Sequence, residues 1–549
     1  MKIDDKKMGE GRIYSVLIVL IAISSVFSLF GGIMEPDGAL YASIAKNIVL
    51  SNDWISLYVR GQDWLDKPHL TFWLAAGSFK IFGINDFAYK LPSLLINWLG
   101  CYYLFLLGLK LYDRKTALIA VIIYITAFHV IISNFDVRAE IYLSTFTLAA
   151  VFHYYLAYKS LSYHIIIGSF FLACGIMVKG IFVIIPIFSG FIFYWILTKQ
   201  YKELLKIKWW LAVLLVGIFI VPELYTLYVQ FDAHPEKTVF DRQDVSGIRF
   251  FFWDSQFGRF FNTGPITGKG DPSFFLHTVL WAFLPWSVLL YTAIVNSIKN
   301  WKNKGRKTVV LIIYINALVA FLLFSFSKFQ LPHYIIIIFP HFALLIASYL
   351  MKIKPKTLNV VTRIQHVIFF LVIVLLMTIA LIFNFPNKLL AILLTIAGAL
   401  FCYVLFSKVS LVHLVARNAI LSLLFMLFSY GFFYPALLQY QAGMCAGLWL
   451  KKNYPHDSAK VYGVYSFAFD FYAPGDITYV EEVSGLEPLS GDRQIVFLPS
   501  SMLGSLRSNY KVKLLKHFDQ YHISKLKLDF INYKTRSDVL TRFSLVELQ

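Results

Sequence analysis

Asp37, Asp66, Lys67, Asp136, Arg138 and Glu140 lie in separate stretches of this 549-residue chain, each at or just beyond the end of an apolar run. Lys179, Arg259, Lys269, Asp271, Lys328 and His333 stand in comparable places further along. Charge in or beside lipid is costly, so charges gathered at one membrane depth call for a reason. Carboxylates among Lys and Arg at that depth suit an anionic lipid headgroup. Cations, or a metal ion, hold the phosphate oxygens while a carboxylate orients or deprotonates the attacking group. The sequence has no Gly-rich phosphate loop, so nothing points to a nucleotide.

These residues need a membrane scaffold to bring them together. Hydrophobic residues make up 58% of the chain and charged residues only 15%, which excludes an ordinary soluble globular protein. The 50 Lys and Arg against 31 Asp and Glu fall in short clusters between apolar runs, a topology signal and not a nucleic-acid one. Of the four cysteines, Cys101, Cys174 and Cys402 lie inside apolar runs, which leaves Cys445 alone outside them and no disulfide framework. The basic N-terminus runs into an apolar stretch without a small-residue cleavage pattern, so an uncleaved first span is expected.

A helix needs about 20 apolar residues to cross the hydrocarbon core. On that rule spans fall near 13–33, 91–111, 116–134, 138–158, 163–179, 181–198, 209–229, 273–297, 308–326, 331–351, 364–384, 387–406 and 414–434. That predicts about thirteen crossings. The clusters "KLYDRK", "TKQYKELLKIK", "IKNWKNKGRK", "MKIKPK" and "SKVSLVHLVAR" then share the N-terminal, cytoplasmic side. The run 69–83 is short and carries Lys80, and counting it as a span would reverse the clusters that follow, so an interfacial helix is expected there. The stretch "DGALYASIAKNIV" also reads as interfacial, with Leu40, Tyr41, Ile44, Ala45 and Ile48 on one face and Ser43, Lys46 and Asn47 on another. Residues 1–434 thus form a transmembrane domain whose outer loops 34–90 and 230–272 frame a cleft. Residues 435–549, with strand-like "KVYGVYS" and "RQIVFLP", form a small α/β domain on the outer, periplasmic face.

The motifs in these loops follow a familiar order. "EPDGALY", "DWLDKPHLTFW" and "YKLPSLL" resemble the first periplasmic loop of GT-C membrane glycosyltransferases of the aminoarabinose transferase and protein O-mannosyltransferase group. The pattern of that loop is roughly D-E-x-x-Y, G-D-W, (E/D)-K-P-P-L and R-L-P-S. "SNFDVRAEIY", "MVKG", "FLPW" and "SKFQLPHY" match later motifs in sequence order. The resemblance implies a GT-C fold and transfer of a sugar from a polyprenyl phosphate to a lipid, polysaccharide or protein acceptor on the outer face, with inversion. It implies Asp37 and Asp136 as catalytic carboxylates, and Tyr41, Lys67, Lys269 and Tyr334 as binders of donor phosphate or substrate. Asp66 becomes a candidate metal ligand, and a divalent metal is left open. Departures stand at Gly38, where the pattern has Glu, at Leu40, where an arginine is usual, and at Lys269, where the aminoarabinose enzymes have a histidine ligand. The expected location is a bacterial inner membrane, and no nucleic-acid partner is expected.

Plainer readings compete with these roles. Asp37 can cap the helix beginning at Gly38, Asp136 can start the next span, and Lys179 and Lys328 can snorkel to the interface. Glu35 either substitutes for the missing glutamate or lines the cleft. A flippase of lipid-linked sugars predicts ionisable residues at mid-membrane and internal repeats, neither of which the sequence has. A nonenzymatic envelope scaffold is the third reading.

Overall fold

The computed structural model describes residues 5–158, 160–299, 310–486 and 494–548. Helix occurs at every one of the expected spans. Among the described residues six helices are long and apolar enough to cross a membrane, or up to eight if each of two bent pairs is one span, and several others are shorter apolar helices. The chain is a multi-pass membrane protein.

Four early helices set the frame. They are α1 (Asp5–Val26), α2 (Asp37–Ser51), α3 (Leu70–Phe82) and α4 (Asp86–Leu111). Asn85 caps α4 by accepting from Ala88 N at 2.9 Å, and Asp113 does the same for α5 (Arg114–Ile125) through Thr116 N at 2.8 Å. Between α5 and α6 (Phe128–Phe135) the chain bends by 57°. The "FLPW" motif braces that bend, since Leu284 O accepts from Phe128 N at 2.9 Å and Trp286 Nε1 donates to Thr126 Oγ1 at 2.9 Å. Side chains inserted at a break in the helical ladder are an established cause of such kinks. The bend delivers Asp136 at the end of α6 and Arg138 just before α7 (Ala139–Ala157).

The tail folds as expected for an α/β unit. Five strands, β3 (Ala459–Tyr462), β4 (Ile477–Val480), β5 (Gln494–Pro499), β6 (Val512–Gln520) and β7 (Thr541–Leu548), form a mixed sheet in the order β4-β3-β5-β7-β6. Its first three strands are parallel, and β7 pairs antiparallel with both neighbours. One face buries Val461, Ile495 and Phe497 against helix Ala442–Asn453, and the other buries Val496, Leu498 and Val546 against Leu506.

The helix α2 departs from the interfacial expectation. Ser43 is buried, and the polar face is covered by helix Phe467–Tyr472 of the tail instead of facing water. Two α2-side charges hold that short helix by its ends. Glu35 accepts from Ser466 Oγ at 2.8 Å and Ala468 N at 2.6 Å at its start. Lys46 Nζ donates to the carbonyls of Asp470, Phe471 and Ala473 at 2.7, 3.2 and 3.4 Å at its finish. An anion at the N-terminus and a cation at the C-terminus both match the helix dipole. Burial raises the Glu35 carboxyl and lowers the Lys46 ammonium to about 8. Glu35 is therefore a docking residue and neither replaces the missing glutamate nor lines a cleft.

The hairpin of β1 (Tyr58–Val59) and β2 (Gln62–Asp63) adds a third tie. Arg60 and Gly61 turn it with positive φ at both central positions, the geometry that fits a tight two-residue hairpin. Arg60 offsets its unfavourable backbone by pairing with Asp470 at 3.1 Å and stacking 3.8 Å over Phe467. Lys46→Met leaves three carbonyls without their donor, which costs about 1–3 kcal/mol locally. Hydrogen exchange across Asp37–Ser51 is expected to accelerate in that variant while the bundle helices stay protected.

Candidate active site

Above α7 the expected carboxylates meet partners that sequence spacing does not reveal. Asp37 is the first residue of α2, and its side chain makes no cap. Its Oδ2 instead accepts from Arg138 Nη1 at 2.6 Å. The same guanidinium donates through Nε (2.9 Å) and Nη2 (2.5 Å) to Asp136 Oδ2. Asp136 ends α6 and does not start α7. It is 6% exposed whereas Asp37 is 39% exposed, so only Asp37 offers a carboxylate oxygen to an incoming molecule. Burial raises the Asp136 carboxyl despite Arg138. Burial likewise opposes the charge on Arg138, but the two aspartates outweigh it and raise the guanidinium above its ordinary range. Gly38, where the pattern has Glu, lies against Asp136: an ideal Cβ would sit 3.4 Å from its Oδ1.

A second set stands beside the first. Glu140 pairs with Lys179, the last residue of α8 (His164–Lys179), and His333 Nε2 lies 3.8 Å from its other oxygen. Lys179 Nζ sits 3.5 Å over the Tyr334 ring, so it is an ion-paired, ring-stacked cation and not a snorkelling one. Gly180 follows at φ 112, and a Cβ there would run into the Gln256 side chain, which explains the glycine of "MVKG". Gln256 Nε2 donates to Lys179 O at 2.9 Å.

The third set comes from the first loop. Lys67 Nζ lies 2.7 Å from Asp66 Oδ2, and Arg259 pairs with Asp66 Oδ1. Burial would raise Asp66, but Lys67 and Arg259 hold it below its ordinary value. Burial lowers the Lys67 ammonium, with Asp66 opposing. The next turn is pinned by His69, whose Nδ1 lies 3.1 Å from Glu223 Oε1 and whose Nε2 is 2.9 Å from Ile55 O. Tyr41 stands between the sets, within the fields of Asp37, Asp66, Arg138 and Glu140. Burial first, then those carboxylates, keep its hydroxyl protonated well above the usual tyrosine value.

Four carboxylates (Asp37, Asp66, Asp136, Glu140) thus face four cations (Lys67, Arg138, Lys179, Arg259). Against half of them opens a cavity of about 670 Å3, with Asp66, Lys67, Lys179, Arg259 and Tyr334 in its wall. Most of the remaining wall is apolar, including Ile181, Phe182 and the π-helical stretch Phe250–Gly258. A greasy cavity with a cationic patch can hold an amphiphile whose head is a phosphate.

Two expected residues fit less well. Lys269 is exposed on a strap whose Gly268 and Gly270 lie on Ser327–Phe329, and it lines no part of the cavity. The structure therefore does not bring Lys269 to the charged cluster, because the strap folds back on the neighbouring loop. Lys328 is exposed on that same loop. Both oxygens of Asp66 are taken by cations, and no three His, Cys, Asp or Glu side chains converge among the described residues. This donor set does not fit a divalent ion.

Known proteins resemble this arrangement in sequence and in fold. The dolichyl-phosphate-mannose-protein mannosyltransferase family matches residues 66–225. An undecaprenyl phosphate-alpha-4-amino-4-deoxy-L-arabinose arabinosyl transferase of Edwardsiella ictaluri is 27% identical over 349 residues, 62% of this chain and 60% of that enzyme. An uncharacterised Aquifex aeolicus protein is 25% identical over 370 residues, 65% of this chain and 68% of its own. The chain thus spans about three fifths of the arabinosyl transferase and about two thirds of the Aquifex protein. The crystal structure of ArnT from Cupriavidus metallidurans bound to undecaprenyl phosphate superposes with a TM-score of 0.74 at 16% identity, covering 97% of this chain and 98% of that one. The chain has the fold of that transferase and is similar in sequence to aminoarabinose transferases over about three fifths of its length. Arg138, Glu140, Lys179 and Arg259 join the charged cluster although the sequence assigned them no part in the chemistry. Arg259 was visible as one of the charges at the common membrane depth and as the single cation inside the aromatic run "FFFWDSQFGRFF".

Proposed function

We propose that the chain is an integral membrane glycosyltransferase that moves a sugar from a polyprenyl-phosphate donor to a lipid, polysaccharide or protein acceptor on the outer face of the membrane, with inversion. The observation that carries the reading is the apolar cavity with Lys67, Lys179 and Arg259 in its wall, whose Tyr334 lies within the field of the partly exposed Asp37. In this scheme the polyprenyl chain occupies the aromatic-walled cavity. The donor phosphate draws Lys67 and Arg259 away from Asp66 and shares Lys179 with Glu140. Tyr334 fixes Lys179 through its ring face, and Tyr41 offers a neutral hydroxyl as a hydrogen-bond donor.

Asp37 orients the acceptor and, where that acceptor is a hydroxyl, removes its proton as the new glycosidic bond forms. The phosphate leaves on the opposite side of the sugar, so the anomeric carbon inverts. Asp136 touches no substrate in this scheme; it positions Arg138, which in turn aims Asp37. No step is routed through a metal, since the donor set around Asp66 does not fit one.

Deletion of the gene, complemented with wild type or Asp37→Asn, tests the reading by mass spectrometry of envelope lipids and glycoproteins. Loss of one glycosyl mass, restored by wild type and not by Asp37→Asn, is expected. Unchanged glycans after deletion, or full restoration by Asp37→Asn, would defeat it.

A pH dependence follows from Lys67. The ammonium form binds phosphate, and burial lowers its pKa, so donor affinity is expected to fall at a pH below the ordinary lysine range. Undecaprenyl phosphate binding measured across alkaline pH checks this. The falling limb moves to higher pH in Lys67→Arg, because guanidinium keeps its charge there.

A further inference from the structure

Residues 524–539 present an apolar edge that the site does not use. Leu528 is 81% exposed, and Leu526, Tyr533 and Val539 are exposed beside it. Lys525, Lys527 and Lys534 are exposed on the same segment, together with the acidic Asp529 and Asp538. A small water-facing domain seldom leaves so large an aliphatic side chain so open without a partner.

The position of this edge identifies what covers it. Tyr533 N donates to Ile382 O at 3.0 Å, and Arg536 Nη2 donates to Phe383 O at 2.6 Å. Arg536 also stacks 4.0 Å over the Phe383 ring, and the buried Phe530 packs edge-on against the same ring at 5.8 Å. Ile382 and Phe383 end the helix Pro355–Phe383, which is among those long and apolar enough to span a membrane. That helix exposes Phe370, Leu371, Val374, Leu375 and Leu381 along its length, the face a spanning helix turns to lipid. The tail segment is therefore fastened to the very end of a lipid-facing helix, level with the membrane surface.

We propose that residues 524–539 form a membrane-surface anchor, in which Leu526, Leu528 and Tyr533 enter the headgroup and upper acyl region of the adjoining leaflet. Lys525, Lys527 and Lys534 contact anionic headgroups there. An apolar patch rimmed by lysines at the interface binds lipid by this combination of burial and charge. The anchor continues the lipid-facing surface of the helix Pro355–Phe383 onto the tail domain.

The test uses the full chain in nanodiscs of phosphatidylethanolamine and phosphatidylglycerol. An environment-sensitive fluorophore is placed at Leu528→Cys and, as a second reporter, at Leu526→Cys. Ser508→Cys is the control, since its helix packs on the sheet face opposite the one covered by helix Ala442–Asn453. Wild type carried through the same labelling is the blank for the native cysteines. The expected result is blue-shifted emission at 528 and 526, quenched by doxyl-labelled lipid and resistant to aqueous iodide, with the reverse at 508. If both reporters show the emission and iodide quenching of the 508 label, the anchor does not exist.

Discussion

Asp37→Asn is expected to slow sugar transfer by about 10²- to 10⁴-fold, the usual worth of a positioned general base, while leaving the fold intact. The fold survives because Asp37 is 39% exposed and Asn keeps its shape. Arg138 retains Asp136 at 2.5 and 2.9 Å, so no buried charge is stranded. The size of the loss also reads out the acceptor. A hydroxyl needs its proton removed and suffers the full effect, whereas a phosphate acceptor is already nucleophilic and loses only orientation. Single-turnover transfer by purified Asp37→Asn with a polyprenyl-phosphate sugar makes the measurement. A rate within about threefold of wild type would remove Asp37 from the reacting centre.

Arg138→Met is expected to cost both activity and stability. It strips the guanidinium from two carboxylates at once, and Asp136 is only 6% exposed. Removing one partner from a buried ion pair destabilises by about 3–5 kcal/mol, because the remaining charge has neither water nor counterion. The apparent unfolding midpoint in detergent falls accordingly. Asp136→Asn combined with Arg138→Met recovers most of that midpoint, since the stranded charge is gone, but it does not recover transfer.

The loss has a pH signature. Burial raises the folded pKa of Asp136, so its protonated form is the one the fold favours. A raised folded pKa means that stability is fully present below the ordinary aspartate value and is lost as pH rises through the folded value. The deficit of Arg138→Met is therefore smallest in acid and grows toward neutrality. A deficit that grew on acidification would contradict this account of the pair.

Helix positions were legible in the sequence because lipid imposes a length and an apolarity on each spanning segment. Helices α2 and α3 and the α/β tail were legible for related reasons of periodicity. What covers α2 was not, because the amphipathic pattern records that a polar face exists but not whether water or protein meets it. Lys46 satisfies either reading until Asp470, Phe471 and Ala473 are placed beside it.

The site divides in the same way. Asp37, Asp66, Lys67 and Asp136 were singled out from motif and membrane depth and share one charged cluster, yet their partners were not legible. Asp37 and Arg138 are 101 residues apart, and Asp66 and Arg259 are 193 apart. No local spacing carries such a pairing. Lys269 was legible by its place in the sequence order, but the course of its strap over Ser327–Phe329 was not.

The tail sheet also sets an order of events in the making of the protein. Strand β7, residues 541–548, is not at the sheet's edge but lies between β5 and β6. Until those residues have left the ribosome β6 has no partner in the sheet, and Leu545 is missing from the core into which Phe469 of helix Phe467–Tyr472 packs. That helix is what Glu35 and Lys46 grip on either side of Asp37. The first loop is therefore locked into shape only once strand β7 has been made, long after its own residues have entered the membrane. A chain that stops short of β7 is expected to hold its acidic loop loosely. Pulse-chase proteolysis would display this delay as protection of the first loop appearing only after residues 541–548 have left the ribosome.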